Sequence, residues 1–492
     1  MNIAVIINIL GYVLEIEGAL MLIPVLISLI CREGAGKWFL ITGLCAMALG
    51  AVIRRKKPAN TVFYLKEGCV TTAASWILMS IVGALPFVMS GTIPDFTDAF
   101  FEVVSGFTTT GASILNDIES LPVCCLFWRS FTHWIGGMGV LVFLLAVIPL
   151  SGGSNMNLMR AESPGPSVGK LVPKVKATAR ILYLIYFGMS AVMFVFLLAG
   201  RMAPIEALMI TFGTAGTGGF GVRNSGCADY SAYIQWVIGI FMVLFGVNFN
   251  AYYLILMKKV KDALHMEEIR AYFLMIIAAV VLIVLNLSRY SGISSDMVRH
   301  AFFQVASLST STGFATLDFD MWPDFSRMTL MLIMVVGACA GSTGGGLKVS
   351  RVLIGIKAAV REMSYYIHPR SVKKIKMDGR TVEESMVGSV GIYFIVFIVI
   401  FVISFILVMA EGLDLLTGFS AVLTTLNNMG PGFNMVGPTR NFSELSVFSK
   451  YVLMFDMLAG RLELFPMILL LHPGLWREAA EREKTKRRRK SL

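Results

Sequence analysis

The segment AFFEVVSGFTTTGAS at residues 99–113 has three counterparts further along the chain: ALMITFGTAGTGGFG (207–221), AFFQVASLSTSTGFA (301–315) and GFSAVLTTLNNMGPG (418–432). Each runs from a small residue through an apolar helical pattern into a run of Ser, Thr, Asn or Gly. They reach Gly111, Gly219, Gly313 and Gly430 in register, with gaps of 108, 94 and 117 residues. This fourfold repeat sets the organisation of the whole chain.

Each repeated segment is semi-hydrophobic for about a dozen residues, which makes roughly 18 Å of helix and is too short to cross a bilayer. We predict that each segment enters the membrane and returns, so the repeat unit is span, half-helix, loop, span. A single TTTG or TGGF could be a helix cap or a tight packing contact. Four occurrences in register favour a shared structure.

The composition places this chain in a membrane. Hydrophobic residues make up 56% of its 492 residues and charged residues 15%, a balance that excludes a soluble domain of this size. The net charge of +11 would suit a nucleic-acid partner, but the basic residues cluster between hydrophobic spans, as orienting charge does. We therefore predict no nucleic-acid binding. The seven cysteines show no metal-binding spacing.

Hydrophobic length and turn signals predict ten spans. The first is interpreted as a retained span, because it lacks a basic leader and a cleavage site. The spans cover residues 4–30, 38–53, 68–90, 126–149, 180–199, 232–257, 271–288, 326–357, 386–410 and 447–471.

The distribution of Lys and Arg predicts the orientation. Five regions hold 31 of the 42 basic residues: 54–66, 160–180, 258–270, 348–380 and 477–490. Positive charge favours the cytoplasmic side, so both termini are expected in the cytoplasm of a multi-pass cell (inner) membrane protein. The basic C-terminal tail is expected to meet anionic membrane lipids.

The loops after the half-helices suggest a chemistry. Irregular backbone inside a membrane is tolerated only where its unpaired carbonyls line a water-filled or ion-filled cavity. Glycine reaches positive φ without a Cβ clash, so it can turn successive carbonyls toward one axis. The C-terminal end of each half-helix carries partial negative charge, which favours a cation. We predict a cation pathway lined by backbone oxygens.

The sequence resembles one known family over essentially its whole length, the Trk/Ktr/HKT cation transporter superfamily, and within it the TrkH branch. The motifs are specific: TTTGAS at 108, TGGF at 217, STGF at 311, NNMGPG at 427, WRSFTHWIGGMG at 128, GSTGGGLKVSR at 341, HPR at 368 and GRLE at 460. Membership implies an all-α integral membrane protein with four membrane-pore-membrane repeats around a pseudo-fourfold pore, plus two extra N-terminal transmembrane helices.

The resemblance also implies a division of the chain. We predict the two additional helices in 1–60 and a basic cytoplasmic tail in 476–492. The four pore repeats are predicted at 61–155, 156–262, 263–365 and 366–475, and the third has a broken second helix.

The resemblance further implies where potassium would be coordinated. The predicted filter residues are Thr109, Thr110, Gly111, Gly218, Gly219, Thr312, Gly313, Asn428, Met429 and Gly430. Serine in the first filter position goes with sodium permeation in the superfamily, so Gly111 favours potassium. The second loop is richer in glycine than the others, which leaves its register open by one residue. Potassium is the expected transported ligand, and no organic cofactor is expected in this chain.

A second glycine-rich run, GACAGSTGGGLK at 337–348, should unwind the predicted span 326–357. A close-packed helix face is the alternative, whereas a phosphate loop lacks the required spacing and a preceding strand. The resemblance implies an intramembrane loop that closes the pore beneath the filter. The predicted gate residues are Gly341, Gly344, Gly345, Gly346 and Lys348.

Two arginines fall within predicted spans. Arg461 would be costly in lipid unless it faces the pore interior, although a buried ion pair with Glu463 or Asp456 would also explain it. The resemblance places Arg461 below the filter as a barrier to passing ions. Arg129 lies near an outer helix end, where its head group can extend to the membrane interface, so we interpret it as structural.

A polytopic membrane enzyme and a receptor are the competing classes. The five histidines form neither HExxH nor a helical metal pair, GxSxG is absent, and a receptor has no need of four carbonyl loops. The prediction is therefore a potassium-uptake permease and not an enzyme. The resemblance implies a homodimer and a TrkA-type cytosolic regulatory ring that binds nucleotide and controls the gate. Channel-like flux and coupling to H⁺ or Na⁺ both remain open.

Overall fold

The computed structural model describes residues 1–56, 58, 63–139, 175–371 and 373–477, which are mostly helical. The helices are α1 (Ile3–Leu20), α2 (Leu22–Cys31), α3 (Gly36–Arg54), α4 (Leu65–Ser90), α5 (Phe96–Phe107), α6 (Val123–Gly137), α7 (Val175–Ala199), α8 (Pro204–Ala215), α9 (Ala232–Phe245), α10 (Phe249–Leu256), α11 (Val260–His265), α12 (Glu267–Ser291), α13 (Ser295–Ser309), α14 (Asp324–Val336), α15 (Val349–Ile367), α16 (Glu384–Met409), α17 (Leu415–Leu426), α18 (Val447–Arg461) and α19 (Phe465–Leu471).

Short elements complete the described chain. Two 3-10 turns span Phe319–Met321 and Asn434–Val436. Strands β1 (Lys376–Met377) and β2 (Arg380–Thr381) form an antiparallel hairpin. The hairpin turns at Asp378 and Gly379, which both have positive φ, 51° and 75°, as a two-residue hairpin turn requires.

One order of elements occurs four times: a long helix, a half-helix and a second helix. The long helices are α4, α7, α12 and α16, and the half-helices are α5, α8, α13 and α17, each 12 or 15 residues long. The α1/α2 span and α3 precede the first unit. This is the predicted all-α membrane architecture with two additional N-terminal spans.

Six helical segments of the described chain are long and apolar enough to cross a bilayer. They are Ile3–Cys31, Gly36–Arg54, Leu65–Ser90, Arg180–Ala199, Glu267–Tyr290 and Glu384–Met409. Six of the ten predicted spans correspond to these segments. The other four predicted spans are the second helices of the four units, and none of these is described as one continuous helix.

The second helices depart from the predicted spans in different ways. The span predicted over 232–257 is wrong as one helix, because α9 and α10 meet at 91°. The span predicted over 447–471 is also wrong as one helix, because three residues separate α18 from α19. The predicted break at 337–348 is present between α14 and α15.

Parts of several sequence predictions lie outside the described residues, including residues 57 and 59–62 of the predicted basic region 54–66. Helix α6 ends at Gly137, and the rest of the predicted span, 140–149, is outside. The same holds for most of the predicted basic region 160–180 and for the basic tail from 478 onward.

Close packing against the half-helices explains where these helices carry glycine. A Cβ at Gly136 of α6 would overlap the carbonyl of Phe107, the last residue of α5. A Cβ at Gly460 of α18 would overlap the carbonyl of Leu426, the last residue of α17. Beyond Gly460, Pro466 in the first turn of α19 has no N–H with which to extend α18.

The half-helices begin at defined caps on their N-terminal sides. The Asp95 side chain accepts a hydrogen bond from the Asp98 N–H at 3.0 Å. Ser294 and Asp414 cap α13 and α17 in the same way, with 3.1 and 3.0 Å to the capped N–H groups, and α8 starts with Pro204. Such residues satisfy or remove the free N–H groups of a helix start. The C-terminal ends of the half-helices, by contrast, are buried inside the protein.

Helices α1 and α3 pack through glycines spaced seven residues apart. A Cβ at Gly43 would lie 2.8 Å from the Gly18 carbonyl oxygen, and one at Gly50 would lie 2.6 Å from that of Gly11. Small residues at this interval let two membrane helices approach backbone to backbone.

A buried aromatic cluster holds the additional helices against the first unit. Trp128 of α6 is fully buried, and its ring lies 6.0 Å from Phe39 of α3 and 6.1 Å from Phe107 of α5. Its indole N–H donates to the Gly83 carbonyl of α4 at 3.2 Å. One side chain thus contacts three other helices and keeps its polar atom paired.

The glycine contact of α1 with α3 generates a stability prediction. Gly43→Val should lower the free energy of unfolding by about 1–3 kcal/mol, because the new side chain overlaps the Gly18 backbone. Gly188→Val is the matched control, since a Cβ at Gly188 meets nothing within 4 Å. Thermal unfolding in detergent measures both. An equal melting temperature for Gly43→Val and wild type would contradict the packing argument.

Candidate functional site

The four half-helices end at the same distance from their glycines. Each last helical residue stands four positions before its glycine; these residues are Phe107, Ala215, Ser309 and Leu426. The register left open in the second loop is thereby fixed, because Gly219 follows Ala215 by four residues, as its counterparts do.

Each half-helix ends in the same hydrogen-bonded motif. The residue two before the glycine has positive φ, and the next N–H donates to the carbonyl five residues earlier at 2.8 or 2.9 Å. This is the Schellman arrangement. The left-handed residues are Thr109 (56°), Thr217 (52°), Ser311 (59°) and Asn428 (53°). Glycine is usual there, whereas Thr, Ser and Asn occupy these four positions, and the Thr and Ser residues are held in a costly conformation by their surroundings.

The four aligned glycines also have positive φ: 81° at Gly111, 77° at Gly219, 87° at Gly313 and 85° at Gly430. The residue between the two left-handed positions of each loop is outside that region. Backbone that alternates in hand in this way can turn successive carbonyls to one side, which is the geometry of a carbonyl-lined ion filter.

The loops close into a ring in chain order. A Cβ added at each glycine would come within 3.0 Å of a carbonyl oxygen in another loop. The pairs are Gly111 with Gly218, Gly219 with Thr312, Gly313 with Met429, and Gly430 with Thr110. Each glycine therefore faces the carbonyl just before the glycine of the next loop, and the fourth loop returns to the first. A side chain at any of the four positions would require the neighbouring loop to shift, and a larger side chain would require a larger shift.

One cavity of about 360 Å³ opens onto this ring. All four glycines line it, together with the residues that follow them in their loops. Among the described residues, the loops thus converge on a shared vestibule.

Arg129 lines the vestibule but is only 2% exposed, and it is paired with the fully buried Glu102 at 2.7 Å. The structural role of Arg129 agrees with the interpretation from sequence, but the extension to the membrane interface is wrong, because a buried carboxylate holds its guanidinium. Glu102 also accepts from the Ile114 N–H at 3.0 Å, and Arg129 donates to the Gly221 carbonyl at 3.3 Å. This pair braces the chain just beyond two of the aligned glycines.

A second vestibule arginine, Arg223, is paired with Glu206 at 2.7 Å. Nearby, the Asn224 amide donates to the exposed Asp117 carboxylate at 2.8 Å and lowers the pKa of that carboxyl. The pairing of Arg129 and Arg223 reduces their repulsion of an arriving cation. Arg440 also lines the vestibule.

His133 joins the first two loops. Its Nδ1 lies 2.8 Å from the Gly106 carbonyl oxygen, and its Nε2 accepts from the Phe220 N–H at 3.2 Å. A carbonyl requires a donor and an N–H requires an acceptor, so these partners assign the neutral Nδ1–H tautomer. His133 lies in the quoted WRSFTHWIGGMG motif, but nothing in the sequence indicated this bridging role.

Side-chain hydrogen bonds also connect the fourth loop with the first. The Asn428 amide donates to the Thr110 hydroxyl at 3.0 Å and to the Met457 carbonyl at 2.8 Å. Thr110 and Thr108 share a hydroxyl contact of 2.8 Å, as Thr312 and Thr310 do at 2.7 Å. The five predicted filter residues that are not glycine, Thr109, Thr110, Thr312, Asn428 and Met429, are all buried.

The intramembrane loop (337–348) contacts the third and fourth loops at the ends of their half-helices. A Cβ at Gly344 would lie 2.8 Å from the Thr310 carbonyl oxygen. The Gly345 N–H donates to the Ser311 hydroxyl, and the Gly346 N–H donates to the Asn427 carbonyl at 3.0 Å. Three of the predicted gate glycines are therefore directly against the ring.

The other two predicted gate residues hold the shape of the intramembrane loop. Gly341 has a φ of 67° and accepts a hydrogen bond from the Phe249 N–H at 2.9 Å. Lys348 has a φ of 75°, is 3% exposed and donates through Nζ to the Gly344 carbonyl. A lysine in the left-handed region is strained, and this buried contact offsets part of that cost.

Arg461, the last residue of α18, also contacts the intramembrane loop. Its guanidinium donates to the Thr343 carbonyl at 2.9 Å and to the carbonyls of Gly136 and Gly137 at the end of α6. Of the two carboxylates considered as its partners, Glu463 is bound by Arg351 and Asp456 accepts from Ser404 at 2.7 Å. Arg461 thus connects α18, α6 and the intramembrane loop.

Within the described ranges, no group of three or more His, Cys, Asp or Glu side chains is arranged to hold a metal ion. The convergent polar groups of this region are backbone carbonyls, hydroxyls and amides. Carbonyl and hydroxyl oxygens of this kind are a suitable ligand set for a hard monovalent cation.

The comparisons with known proteins agree with this architecture. A sequence model of TrkH, described as a cation transport protein, matches residues 35–476. The Trk system potassium uptake protein TrkH of Escherichia coli K12 is 36% identical over 97% of this chain and 100% of its own length. The protein of the same name from Vibrio parahaemolyticus is 35% identical over 96% of this chain and 99% of its own length.

The fold agrees as well. The crystal structure of the potassium transporter TrkH from Vibrio parahaemolyticus superposes with a TM-score of 0.87 at 31% identity, covering 97% of this chain and 100% of that one. With the family match over most of the chain and relatives that are named as transporters, the conclusion is direct: this chain belongs to the TrkH family of cation transport proteins.

Proposed function

We propose that this chain takes up potassium across the cell (inner) membrane through the centre of the four-loop ring. The observation that carries the proposal is the closed succession of glycine-to-carbonyl contacts around one vestibule. The names of the related proteins, Trk system potassium uptake proteins, support the choice of ion.

Potassium would lose its hydration shell to carbonyl oxygens of the ring residues Thr109 to Gly111, Gly218 to Gly219, Thr312 to Gly313 and Asn428 to Gly430. The C-terminal ends of α5, α8, α13 and α17 contribute partial negative charge at the same place. Gly111 supports potassium over sodium through the family resemblance, in which serine at the first filter position goes with sodium permeation.

The intramembrane loop is proposed as the gate, formed by Gly341, Gly344, Gly345, Gly346 and Lys348. Its contacts with Thr310, Ser311 and Asn427 support this role. Arg461 is proposed as a fixed positive barrier at the same level. It is held by three carbonyls, so a passing cation would have to displace it or pass close to its charge.

The proposal includes an orientation and partners. The basic regions support a cytoplasmic location for both termini, and the stretch from 348 to 380 would bind a TrkA-type nucleotide-binding ring on that side. The chain would work as a homodimer, and its tail would meet anionic lipid headgroups. The cytosolic nucleotide-binding ring can open the proposed gate only if it binds one state of the pore more tightly than the other. We keep the division into two extra helices, four pore repeats and a tail as part of the same proposal.

Reconstitution in liposomes tests the proposed function and distinguishes it from a membrane enzyme or a receptor. Purified protein should carry potassium down its gradient without any other added substrate. Setting the H⁺ and Na⁺ gradients independently separates channel-like flux from coupled flux. An absence of protein-dependent potassium flux under every combination of gradients would refute the proposal.

We expect the filter glycines to be indispensable. Gly313→Asp and Gly111→Asp should abolish potassium uptake, because each new side chain overlaps a carbonyl of the next loop. Gly111→Ser should retain uptake with more sodium relative to potassium. Growth at low potassium in a strain without its own uptake systems measures the first effect, and liposome flux measures the second.

Gly221→Ala is the matched control for these substitutions. It follows Gly219 in the same loop, but a Cβ there meets no atom closer than 3.5 Å. It should support growth as wild type does. If Gly313→Asp supported growth at low potassium as well as wild type, with equal amounts of protein in the membrane, the assignment of the filter would be wrong.

Arg461→Ala should raise potassium flux or loosen its control while the protein remains folded. The substitution removes a fixed charge and the bonds to Thr343, Gly136 and Gly137. Arg461→Lys keeps the charge but cannot bind all three carbonyls, so its potassium flux should lie between those of wild type and Arg461→Ala. Liposome flux and melting temperature are measured together. A fall in both for Arg461→Ala would show a structural role only.

Deletion of several residues within 341–346 should give high conduction that no longer responds to the nucleotide-bound ring. The potassium-to-sodium permeability ratio should stay as in wild type, since the filter residues remain. Flux with and without the ring provides the comparison. A changed ion ratio with normal ring control would instead assign this loop to the filter.

A further inference from the structure

A buried carboxylate outside the proposed filter and gate contacts the intramembrane loop. Glu268 is the second residue of α12 and is only 5% exposed. Its position in the sequence, in MEEIR within a basic region, suggests a surface residue. A buried carboxylate is retained only when hydrogen-bond donors surround it.

One oxygen of Glu268 binds both ends of the segment that contains the gate glycines. Oε1 accepts from the Ala340 N–H at 2.6 Å and from the Ser350 N–H at 3.2 Å. Ala340 precedes the first gate glycine, and Ser350 lies in the first turn of α15. The carboxylate therefore holds residues 340 and 350, the two ends of this segment, close together. Its charge is well placed at a helix N-terminus.

The second oxygen extends the contact to another repeat. Oε2 accepts from the Asn248 amide at 3.2 Å, and Asn248 lies in the break between α9 and α10. The next residue, Phe249, donates its N–H to the Gly341 carbonyl at 2.9 Å. Glu268 thus connects the gate segment of the third unit with the broken helix of the second unit.

The neighbouring residue provides an internal comparison. Glu267 contacts α15 seven residues beyond Ser350, through Lys357. Its side chain is 28% exposed, and it also accepts from the Asp378 N–H of the β-hairpin at 3.1 Å. The two acids therefore contact the same helix two turns apart, but only Glu268 touches the gate segment.

We infer that Glu268 is a positioning residue that latches the intramembrane loop in place beneath the filter. The inference rests on the proposed gating function of this loop. Withdrawal of residues 341–346 requires Ala340 and Ser350 to separate or to move together, and either motion breaks charge-assisted hydrogen bonds. A force transmitted from the cytoplasm along α15 also acts on this contact, because Ser350 lies in the first turn of that helix.

The proposed role of Glu268 gives a quantitative prediction for Glu268→Ala. Flux without the cytosolic ring should rise about tenfold or more, since loss of even one charge-assisted hydrogen bond shifts an equilibrium by that order. The potassium-to-sodium ratio should not change, because no filter residue is touched. Glu268→Gln keeps an acceptor oxygen without the charge and should give a smaller rise. Glu267→Ala, the matched control, should behave as wild type.

Cys339 offers a second measurement that does not depend on transport. Its side chain is fully buried beside Ala340, and its N–H donates to the Gly246 carbonyl at 3.1 Å. If the latch is released, a small water-soluble methanethiosulfonate should modify Cys339 faster in Glu268→Ala than in wild type or Glu267→Ala. Mass spectrometry resolves this cysteine from the other six.

The outcomes separate the latch from the proposed transport function. Faster Cys339 modification with raised, still selective flux supports both. Faster modification with no flux from any variant, wild type included, supports the latch and refutes the potassium proposal. Unchanged modification in Glu268→Ala, with ring-dependent flux as in wild type and an unchanged melting temperature, overturns the latch. A loss of flux with a lowered melting temperature also overturns it, because a structural support would fail in that direction.

Discussion

Carbonyl groups that leave a helix inside a bilayer have no water to bind, and the centre of this protein is built around that constraint. The N–H groups at the ends of the half-helices are used within each Schellman turn, whereas the carbonyls beyond them are brought together by glycines without side chains. The surrounding polar residues hold the loops in this arrangement. Glu102 with Arg129, His133 and Asn428 each tie one loop to another segment.

Much of the fold could be predicted from sequence, because the long lipid-facing helices and the spacing of the four glycines are periodic signals. The bends in the second helices could not. Hydropathy measures the polarity of a segment, and residues 246–248 and 462–464 differ little in polarity from the helices around them. A glycine packed closely against a distant segment stands at or just before each break: Gly246 against Tyr272, and Gly460 against Leu426. The break at 337–348 was visible only because its glycines are dense.

The ring itself was predictable as four equivalent positions, but its supports were not. Arg129 alone looks like an interfacial residue, and its partner stands 27 positions earlier. A signal was present, because Glu102 and Gln304 occupy the same place in AFFEVVSG and AFFQVASL, where a polar residue interrupts an apolar face. The contacts of Arg461 are different. Its partners are backbone carbonyls, which every residue carries, so no sequence pattern could have indicated them.

The closed ring also has an evolutionary meaning. A pore assembled from four identical chains must change all four loops with each mutation, so a residue that suits one quadrant is imposed on the others. Here the quadrants are joined in one polypeptide, and each can drift alone. The fourth loop has Asn428 where the first has Thr109, and only this amide reaches across to Thr110. In the third quadrant a helix has given way to an intramembrane loop, which four identical copies would place at the axis together. Covalent linkage of the repeats therefore allows one quadrant to carry an irregular segment of its own, without imposing the same segment on the other three.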